Sequence, residues 1–60
     1  MDKAKFTDLL VGRRFRADAR RALELVFVQG MSQADAARVT GLHRQAVNRA
    51  VKKFLSNLPQ

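Results

Sequence analysis

The chain has no cysteine and a single histidine. Without thiols it cannot be stapled by disulfides, and one imidazole is too few ligands for a structural zinc site. A disulfide-rich secreted scaffold and a zinc finger are therefore excluded. Long apolar runs are missing too: the longest, Leu9 to Val11 and Leu25 to Val28, fall far short of the roughly 20 residues that a membrane span needs. The opening Met1-Asp2-Lys3 leads into no apolar stretch of the signal-peptide kind, so the expectation is a soluble protein of the cytoplasm. Acid is scarce as well, with five Asp plus Glu against twelve Lys plus Arg.

What is present fits one small domain, taken as residues 1–60, in which 47% of the residues are apolar. A chain of this length buries only about 60% of the surface that its unfolded form exposes, which favours a compact helical packing and leaves no room for a large cleft. The net charge of +7 points to a polyanionic partner. Its distribution is uneven: residues 1–35 net +2, whereas residues 36–60 carry Arg38, Arg44, Arg49, Lys52 and Lys53 with no acid and net +5. The C-terminal half is the electrostatic face.

Gly12, Gly30, Gly41 and Pro59 divide the chain into four apolar-patterned segments without linker, repeat or low-complexity stretch. The first, about Ala4 to Val11, places Phe6, Leu9 and Leu10 on one side and stops at Gly12. The second, about Ala17 to Gln29, has Ala19, Ala22, Leu23, Val26 and Phe27 at the spacing of one buried helical face, and Gly30 ends it. The third starts at Ser32 as its cap and runs through Ala36, Ala37 and Val39 to Gly41. The fourth extends from His43 or Arg44 to Leu55 or beyond, with Ala46, Val47, Ala50, Val51, Phe54, Leu55 and Leu58 as its apolar stripe. The expected fold is an all-α, compact bundle of four to five short helices.

Two short helices around a tight glycine turn, the second basic on its free face, predict a helix-turn-helix at about residues 32–53. Ala37 falls where the helices cross, Gly41 where the turn needs positive φ, and Leu42 and Val47 plug the core. Ser32 and Gln33 open the third helix, where free amides and the helix dipole suit a phosphate; an ordinary cap is the plainer alternative. Arg44, Gln45, Asn48 and Arg49 have the chemistry to enter a DNA major groove, because Arg pairs with guanine O6 and N7, and Gln or Asn with adenine N6 and N7. Lys52 and Lys53 follow one turn later, nearer the phosphates of the groove wall. His43, at the start of this helix, is a contact to phosphate or base edge or an idle turn residue.

Arg13, Arg14, Arg16, Arg20 and Arg21 form a second basic cluster, read as a solvated face partly balanced by Asp18 and Glu24, with phosphate contact as the alternative. An enzyme would need Ser32, Thr7, Thr40 or Ser56 to pair with His43, and no orienting third group or glycine-rich phosphate loop accompanies them. No enzyme, cofactor or metal is expected. A helical protein-interaction module using Leu25 and Val28 as its patch is the rival class. A basic helix lying on a membrane is a third, disfavoured by the glycine turns and the small residues at helix crossings.

The run Val28-Gln29-Gly30-Met31-Ser32-Gln33-Ala34, followed by Ala37, Gly41-Leu42, Arg44, Ala46-Val47 and Ala50-Val51, resembles the helix-turn-helix of the TrfB/KorA family of plasmid-encoded transcriptional repressors. The resemblance extends upstream through Phe6 and Gly12, although recombinase DNA-binding domains and sigma-like factors share the same rhythm. It implies a small helical repressor in a bacterial cytoplasm that binds palindromic operators on plasmid DNA as a dimer and competes there with RNA polymerase. It also implies that the recognition helix lies around Arg44 to Lys53 and that Gln33 opens the supporting helix. Family members continue past residues like Asn57-Leu58-Pro59 into a segment that makes the dimer, whereas this sequence stops at Gln60. The expectation is accordingly a homodimer on double-stranded DNA, formed through a segment absent from this chain or in some other way.

Overall fold

The computed structural model of the protein describes residues 1–56. Four helices follow one another: α1 (Lys3–Leu10), α2 (Ala17–Phe27), α3 (Gln33–Thr40) and α4 (Arg44–Ser56). No strand occurs among the described residues, and the fold is all-α with the lower of the two expected helix numbers.

The ends of the helices follow local chemistry. Asp2 precedes α1, and its carboxylate accepts the Lys5 N–H at 2.7 Å, which starts the helix one residue earlier than the apolar pattern suggests. Ser32 caps α3 as expected, its hydroxyl accepting the Asp35 N–H at 3.1 Å. α2 ends at Phe27, two residues before the expected limit. There the Val28 and Gln29 amides both bond to the Glu24 carbonyl, and the Met31 N–H reaches back across Gly30, at φ +74°, to the Leu25 carbonyl at 2.9 Å, so the helical path is closed off at the expected glycine. Apolar periodicity continues through Val28 and cannot register this wrap.

The core is made of Phe6, Ala22, Leu23, Ala36, Ala37, Val47, Ala50, Val51 and Phe54. Phe54 is fully buried, with the rings of Phe27 and Phe6 at 4.9 and 5.5 Å between centroids, so one side chain near the end of α4 gathers α1 and α2. α2, α3 and α4 pack on one another, and each of them contributes at least one buried alanine. Leu55, expected in the buried stripe of α4, lies outside it at 49% exposure, and Val39 near the end of α3 is 53% exposed. Each stands roughly a quarter turn or more around its helix from the middle of the buried arc. Leu58, also expected there, lies outside the described residues. Among the described residues no helix is long and apolar enough to cross a membrane.

Candidate nucleic-acid interface

α3 and α4 are joined by the three residues Gly41, Leu42 and His43. The Thr40 hydroxyl donates to the carbonyls of Ala36 and Ala37 at 2.8 and 3.3 Å and accepts the Leu42 N–H at 3.4 Å, which ties the turn to the helix it leaves. Gly41 reverses the chain at φ +77° and ψ +8°. A Cβ there would meet nothing within 4 Å, so the demand for glycine comes from the backbone conformation alone. Leu42 then packs against the core, and the His43 carbonyl accepts the Val47 N–H at 3.2 Å to start α4. The His43 ring is exposed.

On α4 the buried residues Val47, Ala50, Val51 and Phe54 fix which side faces out. Arg44, Gln45, Asn48 and Arg49 line one open concavity over the first two turns. These are the four residues whose chemistry suits base edges, and the fold brings them together. α4 also has no acid in its first turn, unlike α2 and α3, which carry Asp18 and Asp35 there. Arg44 therefore adds its charge to the positive end of the α4 dipole, an arrangement that costs helix stability and favours an anion nearby.

Gln33 and Asn48 are not independent. The Asn48 Nδ2 group donates to Gln33 Oε1 at 3.1 Å, joining the first residue of α3 to the middle of the α4 face, and both side chains are half-buried. Ser32 is exposed, but its oxygen is engaged in the cap, and the Asp35 carboxylate beside it holds Arg38 at 3.1 Å. An acid in the first turn offsets the half-charge of the α3 terminus, so an incoming phosphate would depend on the Gln33 amide and the Ser32 hydroxyl hydrogen rather than on the dipole.

The two lysines at the end of the face differ. Lys52 is exposed. Lys53 turns back: its Nζ donates to the Arg14 carbonyl at 3.1 Å and lies 5.0 Å from the centre of the Phe15 ring. Arg13, half-buried, donates to the Phe54 carbonyl at 3.2 Å, in the last turn of α4, and lies 5.8 Å from the Phe54 ring. Part of the cluster expected to be a solvated face thus fastens the connection between α1 and α2 to α4. The available sign is Phe15 itself, an apolar ring set among Arg13, Arg14 and Arg16. Glu24, expected to balance that cluster, pairs instead with Lys3 at 3.5 Å.

A family model described as TrfB plasmid transcriptional repressor matches residues 1–60. The chain belongs to that family. Comparison with curated proteins and with solved structures gave no match. In this TrfB-family chain α4 carries no acid, and Arg44, Gln45, Arg49, Lys52 and Lys53 are exposed along it. Among the described residues of this TrfB-family chain, no group of three or more His, Cys, Asp or Glu side chains is placed to hold a metal ion.

Proposed function

We propose that the protein represses transcription by binding a palindromic operator in double-stranded plasmid DNA, in the cytoplasm of a bacterium, with α3 and α4 acting as a helix-turn-helix. The observation that carries this reading is the convergence of Arg44, Gln45, Asn48 and Arg49 on one open concavity of a helix that bears no acid. α4 lies in the major groove and presents these side chains to base edges. Gln33, Ser32, His43 and Lys52 meet phosphates on either side, and Lys53 reinforces the same field while holding the Arg14 carbonyl. The operator is occupied by two copies of the chain, one per half-site.

The role is binding and not catalysis. Each hydroxyl weighed as a nucleophile is engaged with backbone of its own helix: Thr7 with the Lys3 carbonyl, Ser32 with the Asp35 amide, Thr40 with the Ala36 carbonyl and Ser56 with the Lys53 carbonyl. Leu25 and Val28, the patch that a protein-interaction module would use, are half-buried against the core, which favours DNA as the partner.

The test is selection of duplexes from a random pool, followed by titration of the selected and a scrambled duplex with Gln45→Ala and Arg49→Ala. Each substitution is expected to cost about 1–3 kcal/mol on the selected duplex and little on the scrambled one. Equal losses on both duplexes would show that α4 does not read sequence.

A further inference from the structure

Gln33 and Asn48 sit on different helices, fifteen residues apart in sequence, and their amides meet at 3.1 Å across the junction of α3 and α4. An asparagine amide offers two N–H donors and one oxygen acceptor. With one N–H of Asn48 given to Gln33 Oε1, what remains is one N–H beside one oxygen, the donor–acceptor pair that matches adenine N7 and N6 in the major groove. Were Gln33 unable to accept, the Asn48 amide could reverse and present its two donors outward, a pattern suited to oxygen acceptors such as guanine O6 or thymine O4.

We infer that Gln33 is a positioning residue that fixes the amide of Asn48 so that Asn48 selects an adenine at one position of each half-site. The inference rests on the proposal that α4 reads DNA. Because Gln33 opens α3, where a phosphate would lie on the proposed reading, the residue that anchors the protein and the residue that reads the base are joined by one hydrogen bond. Gln33 acts through Asn48 and touches no base.

The test is a base-preference profile measured by duplex selection for the unmodified protein, Asn48→Ala, Gln33→Leu and Gln33→Glu, with helicity and thermal melting followed in parallel. The unmodified protein is expected to prefer adenine about 5- to 150-fold at one position per half-site. Asn48→Ala flattens that position alone. Gln33→Leu, which cannot accept a hydrogen bond, flattens the same position and leaves the Arg44-, Gln45- and Arg49-dependent positions intact. Gln33→Glu keeps an acceptor for Asn48 and therefore retains the adenine preference, while its new charge weakens binding to every duplex alike. This rescue separates positioning from a fold effect of changing residue 33, since a merely structural role would not follow acceptor capacity. An unchanged profile in Gln33→Leu, loss of the adenine preference in Gln33→Glu, or a guanine or thymine at the Asn48-dependent position would each overturn the inference while leaving DNA reading by α4 in place. If the unmodified protein selects no sequence at all, the proposal that α4 reads DNA fails, and this inference with it.

Discussion

At the scale of single residues, the α3–α4 junction is governed by backbone conformation and by shared amides. Gly41 stands at φ +77° with open space around it. Gly41→Ala is therefore expected to destabilise the fold by about 1–2 kcal/mol, the cost of left-handed backbone for a residue with a Cβ. Gly41→Asn should cost less, because asparagine tolerates this region better; denaturant unfolding of both variants checks the order. Lys52 and Lys53 also separate at this scale. Lys53→Ala removes the bond to the Arg14 carbonyl and the contact with Phe15, for an expected stability loss of about 0.5–1.5 kcal/mol. Lys52→Ala should leave unfolding unchanged within about 0.5 kcal/mol. In DNA binding it should lower the salt slope by about one. Unfolding curves and salt titrations of the two variants distinguish them. Side-chain type and spacing make Gly41 and the four α4 residues legible in the sequence. The Gln33–Asn48 bond and the return of Lys53 are not, since both join residues distant in the chain and leave no periodic trace.

At the scale of elements, α4 is two surfaces on one helix. Its buried arc of Val47, Ala50, Val51 and Phe54 recurs at helical spacing and is legible in the amino-acid pattern; Leu55 escapes that reading because an apolar residue beside a stripe looks like part of it. The pattern overruns the end of α2 for a related reason, as Val28 prolongs the apolar spacing after the hydrogen bonds have begun to wrap. Charge behaves differently. Of the five cations in residues 36–60, Arg38 is paired with Asp35 and Lys53 holds a carbonyl, which leaves Arg44 and Arg49 in the groove and Lys52 at its wall as the charges most available to the DNA polyanion. Neutralising three to five phosphates per half-site gives an expected slope of log K against log salt of about −3 to −4.5. Titration between low and physiological salt measures it, and a flat response would remove nucleic acid as the main partner.

At the scale of the whole molecule, size limits what one copy can do. The described residues extend 28 × 20 × 19 Å, less than the ~34 Å that separates successive major-groove faces on one side of a duplex. One copy is thus expected to cover a single half-site, and sedimentation with a palindromic duplex should give two chains per DNA. A one-to-one complex with undiminished affinity for an isolated half-site would contradict this. The composition of the core bears on aim as well as on stability. Among the described residues four of the nine buried ones, Ala22, Ala36, Ala37 and Ala50, are alanines, and α2, α3 and α4 pack on one another. α4 is thirteen residues long, about 20 Å, so a tilt of only ~3° shifts one end against the other by about 1 Å. That is more than the roughly 0.5 Å tolerance of a constellation built to recognise a ligand. α4 therefore behaves as a lever seated on small side chains: enlarging a buried alanine beneath it, such as its own Ala50, would change no outward-facing residue and still swing the far arm off its target.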